Sequence, residues 1–234
     1  MASTHASYVK LYEEYRNGLP NEHINKVRFG QPTRELWETA SVAKDPIRDW
    51  FMDQGLTSKY IAEAPQNDSD TTKKDLEILM AEMSRVTPED ITFARFVEEH
   101  LEQVFIDFLN AKKIKATMDE YFMIDGQTEA LLFWLKNAIN RPRPHQLAYY
   151  YELPLYPLIH TDANSAAYPS GHSLTAFVMS EYYSRKYPQH RAELEALAKK
   201  IAKSRELMGL HYPSDQVISR EIADMIWKND LLRF

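Results

Sequence analysis

Apolar side chains recur at helical spacing along most of this chain, and this periodicity limits the fold more than any other feature. Glycine occurs only six times, and few runs alternate between apolar and polar residues, so strands are disfavoured. We therefore expect an all-α protein with a single domain over residues 1–234. The clearest periodic stretch begins after Thr87-Pro88-Glu89-Asp90 and contains Phe93, Phe96, Val97, Leu101, Val104, Phe105, Phe108 and Leu109.

Capping residues and prolines predict where the helices begin and end. A capping box at Thr117 opens a helix that should run to about Asn140. Arg141-Pro142-Arg143-Pro144 ends that helix, and an irregular segment should continue to Tyr168. The other predicted helices are a short one that contains Val9, Leu11, Tyr12 and Tyr15, and those over residues 45–52, 71–85, 87–109, 170–186, 188–208 and 213–228.

The composition argues against several classes of protein. A net charge of −6 disfavours a nucleic-acid-binding surface. Without cysteine the chain has no disulfide, no thiolate metal site and no cysteine nucleophile. No apolar run is long enough for a membrane span, and Met1 to Asn17 do not resemble a signal peptide. We expect a soluble, cytoplasmic protein, with a mature periplasmic form as the open alternative.

The tetrapeptide Pro169-Ser170-Gly171-His172 lies where a loop passes into an apolar helical pattern. Proline and serine at a helix start leave the first backbone N–H groups unpaired, and glycine lets an anion approach them closely. His172 would then lie beside that anion. The same residue types also form ordinary N-caps, so the functional interpretation depends on the segments on either side.

Lys136 and Arg143 bring two cations to one place before this tetrapeptide. Lys136 lies on a predicted helix, and Arg143 follows the end of that helix. Pro144 stops the helix so that the guanidinium can turn inward, and we interpret Arg141 as a flanking residue. In isolation, a solvated helix end would explain the two cations better than a site would.

A third segment places a histidine and a carboxylate four residues apart. Gly209 should end the helix that carries Arg205, so that the chain turns at His211. Pro213 can open the next helix and place Asp215 in its first turn. Across such a turn Asp215 can accept a hydrogen bond from the imidazole and fix its tautomer, although a purely structural pair would explain these two residues equally simply.

Together the three segments suit the chemistry of a phosphate-like oxyanion. They supply three cations, a helix start with a hydroxyl group, and two histidines, one of them beside a carboxylate. We expect no metal and no cofactor, because the remaining histidines show no pairing at ligand spacing. His100 should pack on an apolar helix face, and the others should lie on the surface or in loops: His5, His23, His145, His160 and His190.

Three stretches of this chain resemble the signature of the type 2 phosphatidic acid phosphatase superfamily. In chain order they are Lys136-x6-Arg143-Pro144, Pro169-Ser170-Gly171-His172 and Ser204-Arg205-x5-His211-x3-Asp215. That superfamily includes bacterial class A non-specific acid phosphatases, integral-membrane lipid phosphatases and vanadium haloperoxidases. The resemblance implies a helical bundle of the acid phosphatase and haloperoxidase type. We call these three stretches the signature segments.

The resemblance also implies a role for each matching residue. His211 would attack phosphorus to form a phosphohistidine, and Asp215 would orient it. His172 would protonate the leaving oxygen and later activate water, so His211 must begin neutral and His172 protonated. The phosphoryl oxygens would be held by cations and by the helix start: Lys136, Arg143, Ser170, Gly171 and Arg205.

Within this superfamily, the sequence favours a soluble, metal-independent phosphatase for phosphate monoesters, similar to the class A acid phosphatases and inhibited by vanadate. Ala166-Ala167-Tyr168 stands where those enzymes carry Gly-Ser-Tyr. The expected partner is a small-molecule phosphoester, with no nucleic acid and no membrane, and formation of a homo-oligomer is left open. The alternatives are a small vanadate-dependent haloperoxidase and a non-catalytic phosphate-binding module.

Overall fold

The computed structural model describes residues 21–161 and 164–234, and within these ranges all regular structure is helical. The expectation of an all-α fold is confirmed. Short 3₁₀ turns lie at Asn21–Lys26, Tyr149–Tyr151 and Pro188–His190. The α-helices, labelled α1 to α10 in chain order, span Arg34–Ala40, Pro46–Asp53, Leu56–Glu63, Asp70–Met83, Pro88–Ala111, Met118–Ile139, Pro144–Ala148, Gly171–Lys186, Arg191–Leu207 and Pro213–Lys228.

The predicted helices within the described residues are confirmed, and several of them begin after a side chain that caps them. Asp45, Thr87 and Thr117 each accept a hydrogen bond from the backbone N–H three residues further on. Thr87 and Asp90 also form a reciprocal capping box. The helix predicted around residues 9–15 lies outside the described residues.

Three helices were not expected from the sequence. The helices α1 and α3 contain only seven and eight residues, too few to establish a periodic pattern. The five-residue helix α7 lies in the segment expected to be irregular. Pro144 is its first residue, a position where the missing N–H of proline costs nothing.

The helix α8 forms the centre of the core. It is buried around most of its circumference, and α9, α10 and α6 pack against it. A helix that is buried all round is typical of the interior of a larger protein. The N-terminus of α8, with Gly171 and His172, therefore opens within the protein rather than on a flat surface. The buried side chains of α8 are Ser173, Leu174, Thr175, Ala176, Phe177, Val178, Met179, Ser180, Tyr183 and Ser184.

The helix α5 is interrupted at His100. The backbone there has φ −144° and ψ 47°, which is not helical. The side chain of His100 is 51% exposed, so the expectation that it packs on an apolar face is wrong. The interruption turns the imidazole outward, and it lies two residues beyond Glu98, which faces the site described below.

The two longest helices, α5 and α6, contain 24 and 22 residues. Charged residues occur along both of them. Within residues 21–161 and 164–234, no helix combines the length and the apolar character needed to cross a membrane. The single-domain organisation over residues 1–234 stays a prediction.

Candidate active site

A cavity of about 400 Å³ brings the three signature segments together. Its lining includes six of the predicted site residues: Lys136, Arg143, Gly171, His172, Arg205 and His211. The other two, Ser170 and Asp215, lie behind the lining and are fully buried. The geometry thus joins residues that are up to 75 positions apart in the chain around one enclosed volume.

His211 lies between a carboxylate and a guanidinium. Its Nδ1 is 3.1 Å from Asp215 Oδ2, and its Nε2 is 2.8 Å from Arg143 Nη1. A guanidinium can only donate, so Nε2 accepts and the ring proton lies on Nδ1, where it is donated to Asp215. The lone pair of Nε2 is therefore directed to the cationic side of the cavity.

Burial and neighbouring cations keep both site histidines neutral in the ligand-free protein. The pKa of His211 is lowered well below its ordinary value by burial and then by Arg143, Lys136 and Arg205. The pKa of His172 is also lowered well below its ordinary value, by burial and then by Arg205 and His211. His211 has the state expected of a nucleophile. The same shift disfavours the protonated form of His172 that an acid needs, because burial and the charge of Arg205 oppose a second positive charge there.

The cations of the site are held in fixed positions. Lys136 donates to the carbonyl oxygen of Ala166, and its pKa is lowered well below the ordinary value by burial and by the charge of Arg143. Arg143 donates to the carbonyl oxygens of Leu210 at 2.9 Å and Ser165 at 3.0 Å. Burial lowers the pKa of Arg143 to about 10, so its guanidinium stays charged at neutral pH. A phosphoryl group would meet donors that need little rearrangement.

Two donors of Arg205 have no partner within residues 21–161 and 164–234. Its side chain is 2% exposed, and its Nη2 pairs with the carboxylate of Glu98. Its Nε and Nη1 are buried and have no hydrogen-bond partner among the described residues. An unsatisfied buried donor costs about 1–3 kcal/mol, so these atoms favour an anion in the cavity.

Glu98 is a site residue that the sequence interpretation missed. Its carboxylate pairs with Arg205, and its backbone carbonyl accepts a hydrogen bond from the imidazole of His172. It lies on α5, outside the signature segments. The available indication was a carboxylate between Ala94 and Leu101 on the buried face of that helix, where an unpaired charge would be costly.

Arg141 supports the site from behind. Its Nη1 is 2.7 Å from Asp215 Oδ1, and its Nη2 is 3.4 Å from Asp75 Oδ2. The guanidinium stacks 3.8 Å from the ring centroid of Tyr212. Its side chain is 1% exposed and does not line the cavity. The structure thus gives Arg141 a buried role on the far side of Asp215, whereas Arg143 faces the cavity.

At the start of α8, the predicted anion-binding residues Ser170 and Gly171 lie in different surroundings. Ser170 is the N-cap, and its Oγ accepts from the N–H of Ser173, so this hydroxyl lies under the helix start. Gly171 lines the cavity, and a Cβ there would be 3.2 Å from Leu132 Cδ2. Glycine therefore permits close packing of α8 against α6. Direct contact between Ser170 and a phosphoryl group stays a prediction.

Parts of this chain are similar to known proteins. A lipid A 1-phosphatase from Rhizobium johnstonii (strain DSM 114642 / LMG 32736 / 3841) is 31% identical over 85 residues, which is 36% of this chain. The chain spans only 34% of the length of that relative. A solved transmembrane PAP2 type phosphatidylglycerolphosphate phosphatase from Bacillus subtilis aligns with a TM-score of 0.49 and 18% identity, over 80% of this chain and 96% of that one. Residues 122–227 match the model of the PAP2 superfamily, and this range includes all three signature segments.

Proposed function

We propose that this protein is a phosphatase that hydrolyses phosphate monoesters through a phosphohistidine at His211, without a metal ion. The contact of His211 with both Arg143 and Asp215, on the wall of a cationic cavity, carries the proposal. The family match and the relative named a lipid A 1-phosphatase support a phosphatase activity. The cations take the part that Mg²⁺ has in other phosphoryl-transfer enzymes, which is to neutralise the charge of the phosphoryl oxygens.

In the first step, the phosphoryl group binds among Lys136, Arg143 and Arg205 at the N-terminus of α8. The Nε2 lone pair of His211 attacks phosphorus, and the bond from phosphorus to the ester oxygen breaks. His172, which takes a proton from the monoanionic ester as it binds, donates that proton to the ester oxygen, so the product leaves as a neutral alcohol. Asp215 stabilises the positive charge that develops on His211.

In the second step, the roles of the two histidines are reversed. His172, now neutral, takes a proton from water, and the resulting hydroxide attacks phosphorus. The bond between phosphorus and Nε2 breaks, and its electron pair returns to His211. Inorganic phosphate then leaves, and both imidazoles have their original states. One water molecule is consumed for each ester hydrolysed.

The lowered pKa of both histidines predicts an acidic maximum for kcat/KM. His172 is neutral in the free protein, so its proton must arrive with the monoanionic ester, whose second pKa is near ~6. We expect kcat/KM to fall as pH rises above about 6, because the monoanion disappears. The lowered pKa of His211 keeps that residue neutral well below its usual range near ~6.5, so loss in acid should begin late. A value of kcat/KM that rises between pH 6 and 9 would contradict this proton delivery.

Metal independence and vanadate inhibition test the proposed function directly. Purified protein treated with excess EDTA should hydrolyse p-nitrophenyl phosphate at an unchanged rate, and vanadate should inhibit it by mimicking the five-coordinate transition state. Loss of activity in EDTA with recovery on adding a divalent metal would refute the proposal. Halide oxidation by peroxide in the presence of vanadate would favour the haloperoxidase alternative, and phosphate binding without turnover would favour the binding module.

A further inference from the structure

The charge of the side chains that line the cavity changes from positive at its floor to negative towards its opening. The floor carries the buried cations Lys136, Arg143 and Arg205. Besides Glu98, which pairs with Arg205, four carboxylates line the cavity, and we call them the acidic rim: Glu99, Glu102, Asp125 and Glu129. A ligand that fills this cavity meets positive charge at one end and negative charge at the other.

The helix α6 sets the spacing between these two regions. Asp125, Glu129 and Lys136 are separated by four and seven residues, so they lie on one face of the helix. With a rise of 1.5 Å per residue, the backbone of Glu129 lies about 10 Å from that of Lys136 along the axis, and that of Asp125 about 16 Å. Leu132 and Phe133 line the cavity between them and offer an apolar wall.

The rim has no strong cationic partner of its own. Among the described residues, neither Asp125 nor Glu129 forms an ion pair with lysine or arginine, and Asp125 accepts only the hydroxyl of Thr175 at 2.7 Å. Glu99 and Glu102 approach only the imidazole of His100, at 3.8 and 3.9 Å. Burial raises the pKa of Asp125 and of Glu129, and a neighbouring carboxylate raises each of them further.

A second observation shows that the same cavity is built to receive a ligand. The unpaired Nε and Nη1 of Arg205 are buried in its wall, and they require an anion. A cation at the acidic rim would stabilise Asp125 and Glu129, because burial and neighbouring carboxylates disfavour their charged forms. Within the described part of the chain, no three histidine, cysteine or acidic side chains converge as metal ligands. The spread-out carboxylates suit an organic ammonium group better than a compact divalent ion.

Resting on the proposed phosphatase function, we infer that the substrate is a phosphate monoester whose alcohol carries an ammonium group. The phosphoryl group binds among the three cations, the ammonium group contacts the acidic rim roughly 10 Å away, and an apolar spacer lies along Leu132 and Phe133. Glu129 and Asp125 are then specificity-determining residues. The reaction releases inorganic phosphate and an amino alcohol.

Two esters with the same leaving group test this inference. 6-Aminohexyl phosphate and 6-hydroxyhexyl phosphate have similar lengths and the same primary alkoxide as leaving group, so they differ only in the terminal group, which is a charged ammonium in one and a neutral hydroxyl in the other. At low ionic strength we expect kcat/KM for the amino ester to be about tenfold higher or more, the size of one charge-assisted hydrogen bond. The preference should shrink as salt screens the rim.

Substitutions in the acidic rim test whether its carboxylates cause the preference for the amino ester. Glu129→Gln and the double variant Asp125→Asn/Glu129→Gln should lower the ratio of the two kcat/KM values towards one, and this ratio cancels any general loss of activity. Glu77→Gln, an exposed glutamate on α4 that does not line the cavity, is the matched control and should keep the ratio. If the double variant does not fold, the single variant and the comparison of the two esters in the unmodified protein still test the inference.

The outcomes separate this inference from the proposed function. Equal kcat/KM values for the two esters in the unmodified protein would overturn the inference and leave the phosphatase function standing. An unchanged preference in both rim variants would also overturn it, because the ammonium group would then bind elsewhere. Failure to hydrolyse these esters and p-nitrophenyl phosphate alike would refute the phosphatase function, and the inference with it.

Discussion

Replacing His211 by asparagine should abolish the phosphoenzyme and lower kcat/KM by about 10⁴-fold or more. Asparagine is close to histidine in size and keeps a polar group between Arg143 and Asp215, but its amide is a very weak nucleophile. The loss should therefore report the missing Nε2 lone pair rather than a collapsed site. Rapid acid-free quenching with phosphorus-labelled substrate measures the covalent intermediate, which should be labile in acid.

Two companion variants make this experiment specific. His190→Asn changes a histidine that pairs with Glu193 outside the cavity, and it should retain both phosphoenzyme and turnover. Asp215→Asn should still form phosphoenzyme, but more slowly, because the Nδ1 proton of His211 is no longer held by a carboxylate. A normal yield of phosphoenzyme in His211→Asn would place the nucleophile on another residue.

Replacing Arg141 by leucine should destabilise the fold by about 3–5 kcal/mol. The substitution leaves Asp215 and Asp75 buried without their shared cation, and it removes the guanidinium that stacks on Tyr212. Burial raises the pKa of Asp75, so the folded protein disfavours the charged form of this carboxyl group. The stability deficit should consequently be smaller in acid, where Asp75 is protonated, and should grow as pH rises and the carboxylate ionises.

Urea unfolding monitored by tryptophan fluorescence, repeated between pH 5 and 8, measures this deficit. Arg34→Leu is the control, because its side chain is 91% exposed and pairs only with Glu38 on the surface of α1. Exposed pairs of this kind contribute about 0–1 kcal/mol. If Arg141→Leu lowers the free energy of unfolding by no more than about 1 kcal/mol, Asp215 is held in place without Arg141.

The parts of this site that the sequence predicted are those determined over short distances along the chain. The bond between His211 and Asp215 follows from a spacing of four residues across a helix start, and the turn before it follows from Gly209, which has φ 70°. Helix boundaries are likewise local, because a cap acts within one turn. The signature segments added the cations, and the structure places Lys136 and Arg143 on one cavity.

The parts that the sequence did not predict depend on how distant helices pack. Arg141 and Asp75 are 66 residues apart in the chain, and Glu98 and Arg205 are 107 residues apart. Neither pair has a spacing that recurs in any local pattern, since tertiary packing alone brings the partners together. The acidic rim is similar, because α5 supplies Glu99 and Glu102 while α6 supplies the other two carboxylates.

The interruption of α5 at His100 lies two residues beyond Glu98, a site residue that the matched range does not include. Residues 122–227 match the family, yet the group that pairs with Arg205 and the carbonyl that faces His172 both belong to Glu98, which lies before that range. A transplant of residues 122–227 into another scaffold would carry over His211, His172 and the three cations of the signature segments. It would leave behind Glu98, which contacts both His172 and Arg205, so a transplant that keeps these contacts must be longer than the matched range.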